Sequence, residues 1–305
     1  MTSEIWVADA PVNYGVFELG ADKGGKTPDG EECAAFVAQA GYEGIDLGPS
    51  GFLGRGGDFQ DRLRRHGLAL AGGWLDYPFR SNEDFRAAVG NLDDRIANFL
   101  EGAEVNPDRP PRPTLACSGS PVRQANPGGA APGIGLTDEE WKVFAENLQH
   151  VVDRFRAAGL EPTFHHHVCT YVETPEEIDR LLALTDVGLC LDTGHLILGG
   201  GDPLTALRAW GDRINHIHLK DADKSALDAV VKGRGDMRAA WAGNVFVPMG
   251  TGDFRTADFM PDLLASDYRG WALVEQDYIP APEDPFDTAF RAQKANREAL
   301  RRWLP

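Results

Sequence analysis

The sequence predicts an α/β fold, a single (β/α)8 TIM barrel, and three observations carry that expectation. The pattern strand, loop, helix recurs about eight times. Four apolar runs in the second half each stop on polar, metal-competent residues: Thr163 to His167, Val187 to His195, Ile214 to Asp221 and Trp271 to Asp277. The glycine fingerprint of an open dinucleotide-binding sheet is absent, because Gly199-Gly200-Gly201 lacks the G-x-G-x-x-G spacing. Alternating strands and helices build a parallel sheet. Ligands offered by four different strands favour a closed barrel, whose chemistry sits at the carboxyl ends of its strands. No break in composition marks a second domain, so residues 1–305 are expected to form one.

Ile5 to Ala8 reads as the first strand and leads into Ala10-Pro11-Val12-Asn13-Tyr14-Gly15. A Gly/Lys-rich loop follows, then a helix from about Asp29 to Ala40. Gly41 fits its C′ position, where the backbone turns left-handed. Tyr42 to Leu47 is the second strand, followed by a loop of turn residues, Gly48 to Gly54. Asp58 to Arg65 is a short helix closed by Gly67. Leu68 to Gly73 is the third strand, ending in Trp74. Ser81 can cap one long helix to about Glu101, with Phe85, Val89, Leu92, Ile96 and Phe99 spaced for one face. Pro113 to Cys117 is a weaker fourth strand.

Ser118 to Leu136 is a Pro/Gly-rich loop long enough to serve as a mobile lid. Thr137-Asp138-Glu139-Glu140 has the form of a capping box. The helix it opens carries Trp141, Phe144, Leu148, Val151, Val152 and Phe155 on one face and ends before Gly159. Thr174-Pro175-Glu176-Glu177 repeats the device with Pro at the first helical position, and Asp202-Pro203 starts another helix similarly. A closing helix spans about 287–303.

The formal net charge is −17, from 47 acidic and 30 basic residues. That excess argues against nucleic acid, whose binding needs phosphate-neutralising Lys and Arg, and against an anionic membrane surface. No run of about 18 apolar residues exists, so no membrane span is expected. Met1-Thr2-Ser3-Glu4 lacks a basic region followed by an apolar one, which predicts no secretory leader. Cys33, Cys117, Cys169 and Cys190 form no C-x-x-C pair and read as free thiols of a reducing compartment. The expected location is cytoplasmic.

Side chains alternate across a strand. His216, His218 and Lys220 therefore share one face, as do His165 and His167. Asp192 and Glu275 are acids closing apolar strands. An unpaired buried carboxylate costs several kcal/mol, so each needs a cation or donors. An Asp, a Glu and one or two His make a mixed oxygen/nitrogen site that suits Mn²⁺, Co²⁺, Fe²⁺ or Zn²⁺. The predicted ligands are His165, Asp192, His218 and Glu275, with His167 as the alternative to His165. Asp192 before Thr-Gly can equally cap a helix. Asn13, Trp74 and Glu173 are candidates to line a polyol pocket, since aromatic faces stack on sugar rings and amides and carboxylates bind hydroxyls.

These motifs resemble the sugar isomerase/epimerase superfamily with the xylose-isomerase-like barrel, which also contains endonuclease IV. Leu-Asp-Thr-Gly-His at 191–195, His-Ile-His-Leu-Lys-Asp at 216–221 and Val-Glu-Gln-Asp at 274–277 match its pattern at the sixth, seventh and eighth barrel strands. The likeness covers roughly residues 5 to 300. Within the superfamily the chain looks most like the inosose dehydratases of myo-inositol catabolism. Pro11 to Gly15, Gly41-Tyr42-Glu43-Gly44 with Leu47-Gly48-Pro49, His165-His166-His167 with Thr170 and Val172, and Asn244 to Pro248 carry that likeness. It implies one divalent ion, Mn²⁺ or Co²⁺ before Zn²⁺, Fe²⁺ or Mg²⁺. It also implies a hydro-lyase acting on a small keto-inositol or similar cyclic keto-polyol. Glu275 would then be the base, with His195 and Lys220 supplying a proton or stabilising the oxyanion, and His167 contacting substrate. A homo-oligomer is compatible with it.

One departure bears on the reaction. Epimerases of the superfamily carry a fifth-strand glutamate that pairs with the eighth-strand glutamate as a two-base shuttle. Alignment through Thr174-Pro175-Glu176-Glu177 puts His165 at that position. A keto-sugar isomerase or epimerase is therefore the runner-up, and a barrel subunit of a C-glycoside-cleaving lyase the third reading. Endonuclease activity is disfavoured by the acidic charge.

Overall fold

The computed structural model describes residues 4–17, 26–128 and 133–305. The start of the chain (1–3), most of the Gly/Lys-rich loop (18–25) and part of the expected lid (129–132) lie outside the described residues.

Eight parallel strands close into a barrel: β1 (Ile5–Asp9), β2 (Gly44–Asp46), β3 (Ala69–Tyr77), β4 (Arg112–Cys117), β5 (Thr163–His165), β6 (Gly188–Asp192), β7 (Ile214–Leu219) and β10 (Gly270–Val274). They pair in chain order around the ring, and β10 pairs with β1 to shut it. Two further strands, β8 (Asp221–Ala222) and β9 (Phe246–Val247), form a small antiparallel ribbon outside the barrel.

Helices pack around the strands, and their starts are written in the sequence. Asp29, Thr137 and Thr174 each make the reciprocal capping box, so two backbone donors are satisfied at each helix entry. The barrel interior near its amino-terminal end is filled by Trp271, which is fully buried. Gly44 makes room for it: a Cβ there would lie 2.6 Å from the indole. Alternation then puts Leu273 and Glu275 on the same inward face as Trp271.

Three expectations change. The helix expected from Ser81 to Glu101 is two helices, Asn82–Ala88 and Leu92–Ala103, with a 3₁₀ turn at Val89–Asn91. Gly90 and Asn91 are poor helix formers, and Asn91 accepts a hydrogen bond from Tyr77 Oη instead. The third strand runs on to Tyr77, because Trp74 to Tyr77 keep pairing with β4.

The described part of the expected lid is anchored. Ser120 caps the short helix Pro121–Gln124, and the buried Arg123 pairs with Glu173 and Glu177. No described helix is long and apolar enough to cross a membrane. All four cysteines are free and buried.

The chain between β7 and β10 makes a long excursion. Asp221, buried at the start of β8, accepts from the backbone N–H groups of Gly250, Thr251, Gly252 and Phe254. That carboxylate folds the excursion back. Within it, the helix Met237–Ala242 brings Met237, Arg238 and Trp241 to the cavity at the carboxyl ends of the strands.

Candidate active site

The ends of β5, β6 and β7 and the residue after β10 converge. One ligand atom each from His165, Asp192, His218 and Glu275 lies within 4.8 Å of the others, and all four residues are buried. Asp192 Oδ2 is 3.3 Å from His165 Nε2 and 3.6 Å from His218 Nδ1, and Glu275 Oε2 is 3.2 Å from His218 Nδ1. Two ligands each about 2.0–2.2 Å from one ion at a tetrahedral angle stand roughly 3.4 Å apart. The spacing therefore fits a divalent cation.

Protonation fits at three of the four residues; at His218, burial is outweighed by Cys190 and Glu275, which hold the imidazole protonated, so a bound ion would have to displace that proton. Burial pushes His165 down, towards the neutral imidazole that a metal needs. Burial would push the Asp192 carboxyl up, but Lys220 and His195 outweigh it and hold the group well below its usual range. Glu275 is likewise held low, burial being outweighed by His218 and Lys220. Between His165 and His167, the four-atom cluster contains His165.

Asp192 caps a helix and also faces the cluster. Its Oδ1 accepts from His195 N at 2.8 Å and caps the helix Thr193–Leu198, while its Oδ2 faces the cluster. Thr193 Oγ1 donates to Lys220 O, and Lys220 N donates to Thr193 Oγ1, which fastens the end of β6 to that of β7.

Lys220 is the hinge of a second group. Its Nζ is 2.9 Å from Glu275 Oε2, 3.3 Å from Asp192 Oδ2, 3.0 Å from Asp277 Oδ1 and 3.0 Å from His195 Nε2. Burial would lower it, but the carboxylates of Asp192, Asp277 and Glu275 win and keep it charged. Because the ammonium can only donate, His195 accepts through Nε2 and carries its proton on Nδ1. Trp241 Nε1 donates to the other Asp277 oxygen at 3.0 Å.

His167 packs against His195 with ring centroids 3.7 Å apart. Its Nδ1 lies 2.6 Å from the Val168 carbonyl, which can only accept. The proton is therefore on Nδ1, and Nε2 keeps its lone pair. Burial pushes His167 down to about 3, so the ring is neutral.

A cavity of about 230 Å³ opens onto this arrangement. His165, Lys220 and Glu275 form its polar floor, with His167 and Asp277 beside them. Trp74 stands half-buried on the β3 side, its ring 5.4 Å from that of His165 and 5.2 Å from that of His167. Val12, Phe17, Met237, Trp241 and Ile279 make a largely apolar rim.

Two residues expected to line a polyol pocket do something else. Asn13 is fully buried and clamps the chain around Glu275: its Nδ2 donates to Val274 O at 2.8 Å, and its Oδ1 accepts from Gln276 N at 2.6 Å. Asp9 holds Asn13 in turn, and Tyr14 Oη donates to Asp9 at 2.7 Å. Glu173 is fully buried, with its carboxylate on Arg123 and on the Gly128 N–H. Both polar groups are consumed inside the protein because the backbone around them needs partners.

Sequence reasoning gave no role to Asp46, Trp241 or Asp277, the last noted only as the end of a motif, though all three line the cavity. Asp46 had a signal: it closes an apolar strand, as Asp192 does. Trp241 had none, because only the folded excursion brings it over the barrel.

The chain matches the model of the xylose isomerase-like TIM barrel family over residues 34–302. It is 39% identical over 162 residues to an inosose dehydratase of Lacticaseibacillus casei, a match covering 52% of this chain and 54% of that protein. The match thus spans about half the length of that relative. An inosose dehydratase of Geobacillus kaustophilus is 30% identical over 270 residues, covering 87% of this chain and 85% of that protein. Among solved structures, the IolI protein with a bound zinc atom superposes with a TM-score of 0.69 at 13% identity, covering 98% of this chain and 99% of that one. That last likeness speaks to the fold alone. Fold, site geometry and a family match over most of its length lead to one conclusion: the chain belongs to the xylose isomerase-like TIM barrel family.

Proposed function

We propose that this protein is a metal-dependent hydro-lyase that removes water from 2-keto-myo-inositol or a similar cyclic keto-polyol. The substrate follows from the inosose dehydratase that it resembles over 87% of its length. The reaction class rests on one observation: an open, neutral imidazole at His167 and a fixed ammonium at Lys220 both line the cavity beside the metal-competent cluster. His165, Asp192, His218 and Glu275 would hold the ion, Mn²⁺ or Co²⁺ before Zn²⁺. When bound, such an ion polarises a carbonyl and acidifies the neighbouring C–H.

His167 Nε2 takes the α-proton. Glu275, the base expected from sequence, suits that role less, because its Oε2 is already engaged by His218 and Lys220, whereas His167 Nε2 is open to the cavity. The C–H electrons form the new C=C bond as the β C–O bond breaks. The imidazolium formed at His167 returns its proton to the departing hydroxyl, which leaves as water. Lys220 stays charged and stabilises negative charge on the substrate oxygen, oriented by Asp277 and His195. Trp241 and the apolar rim exclude water.

Epimerisation is less well supported, since a two-base shuttle needs a second carboxylate where His165 stands. Mn²⁺-loaded protein incubated with 2-keto-myo-inositol should form a dione with new ultraviolet absorbance. A chelator should abolish this, and Mn²⁺ or Co²⁺ should restore it. Efficient epimerisation of a keto-sugar, with no dehydration of any cyclic ketose, would overturn the reading.

A further inference from the structure

Asp46 closes β2 on the barrel wall opposite the strand that carries Asp192. In the ring of eight strands β2 lies four places from β6 in either direction, so Asp46 stands across the barrel from Asp192. Three independent features bring its carboxyl to the cavity.

The first is a register shift. Ile45 pairs with Leu70 but Asp46 pairs with Gly72, so the β2–β3 ladder slips by one residue between Ile45 and Asp46. Irregularities of this kind re-aim a side chain and recur beside active sites. The second is the space kept for it. A Cβ on Gly72 would lie 2.8 Å from Asp46 Oδ1, so any side chain at residue 72 would displace the carboxyl. The third is a missing partner. Asp46 is 6% exposed and lines the cavity with Trp74, His165 and Glu275, yet its Oδ1 is buried without a hydrogen bond. No described side chain hydrogen-bonds to this carboxyl.

A buried polar group without a partner is costly. The neighbouring acids show what a structural carboxylate looks like here: Asp9 and Asp221 are saturated by donors. Asp46 is the exception among these three, and it is the one that faces the cavity.

We infer that Asp46 is a substrate-contacting residue that grips a ring hydroxyl of the bound polyol on the side of the cavity opposite Asp192. This rests on the reading of the cavity as a keto-polyol site, and it adds a contact that fixes which ring face meets His167. Burial pushes the carboxyl up to about 7, so it can both accept from and donate to a hydroxyl.

The test compares Asp46→Asn and Asp46→Leu with the wild type. With Mn²⁺-loaded protein and 2-keto-myo-inositol, kcat/KM should fall roughly 10- to 100-fold in Asp46→Leu, as expected for losing a hydrogen bond to an ionisable group. It should fall less in Asp46→Asn, which keeps a donor and an acceptor. Mn²⁺ stoichiometry should not change.

A second measurement needs no substrate. Removing a carboxyl whose buried Oδ1 has no partner, and whose other support is the Leu47 N–H, should leave the Tm of the metal-free protein unchanged or raise it, as at other sites where stability is traded for function. A structural carboxyl would lower it. A fall in Tm of several degrees in both variants, or a kcat/KM within twofold of wild type in Asp46→Leu, overturns the inference. If the wild type leaves 2-keto-myo-inositol untouched, the substrate reading fails, and the Tm result alone then decides whether Asp46 is functional.

Discussion

The two halves of the barrel meet the same cavity with opposite chemistry. On the side of β5, β6, β7 and β10, strand ends carry imidazoles and carboxylates that touch one another around Lys220. On the side of β1 and β2, the strand ends carry Asp9 and Asp46, which touch no cation. Burial pushes both of these carboxyls up to about 7, while it pushes His166 and His167 on the other side down to about 3. Burial thus disfavours charge on these four groups, and charge is gathered instead on Lys220 and the carboxylates around it. A cation bound between the two halves would be held by one wall only, leaving the opposite wall to hold substrate.

The largest effect should come from the charged half. Asp192→Ala removes a cluster ligand, the cap of the helix Thr193–Leu198 and a partner of Lys220. Divalent metal binding, followed by calorimetry, should be lost, and dehydration should fall by roughly three orders of magnitude, the several kcal/mol expected of a Lewis acid. Full metal occupancy in Asp192→Ala would mean that the ligands are other residues.

Lys220 tests whether that half works through the ion alone. Lys220→Met keeps the length of the side chain but removes the charge. It should lower kcat about 100-fold, in the range of a positioned charge or proton carrier, with metal content intact. Normal turnover would make Lys220 a structural counter-ion for Asp192, Glu275 and Asp277.

How much of this was legible depended on the half. The acids and histidines of the charged half announce themselves, because Asp192 and Glu275 end apolar runs and His218 and Lys220 alternate along one strand. The other half was harder. Asn13 looked like a ligand for substrate hydroxyls, but its amide is used on the backbone beside Glu275. Glu173 also looked like a ligand for substrate hydroxyls, yet Arg123, on a short helix fifty residues earlier, pairs with it in the interior. Asp46 closes an apolar strand, as Asp192 does, but that strand is so short that the side chain's direction depends on a slipped ladder, which the sequence does not reveal. Trp241 reaches the cavity only through an excursion folded by Asp221. Strand periodicity is local and could be read, whereas these contacts are long-range and could not.

Asn13 links the two halves, since it lies after β1 and holds the chain after β10. Asn13→Ala should leave the four ligands in place but loosen Glu275. Metal affinity should fall about tenfold, the lower end for groups that orient a ligand, and kcat should fall with it. Asn13→Ser, which keeps an acceptor, should recover part of the loss. If Asn13→Ala lost stability but kept metal affinity, Asn13 would serve the fold alone.

The smallest effect tests the opposite titrations directly, in metal-free protein. Asp9 has a folded pKa of about 7 against an ordinary value of 3.8, chiefly through burial, so between those values the folded state holds more protons than the unfolded one. Its contribution to stability therefore declines as pH rises from about 4 to 7. His166 is the mirror case. Its folded pKa is about 3 against 6.5, again through burial, and its Nε2 accepts from Asp192 N. Its contribution is fully present above 6.5 and is lost as pH falls towards 3. Asp9→Asn should thus gain on the wild type in Tm as pH rises from 4 to 7, and His166→Asn should gain on it as pH falls from 6.5 to 4. Each difference should amount to a few degrees, for a change of about 1 kcal/mol moves Tm of a chain this long by roughly 2 °C. Tm curves for the three proteins between pH 4 and 8 would check this. Differences running the same way in both variants would show that the two halves of the barrel do not hold their protons in opposite senses.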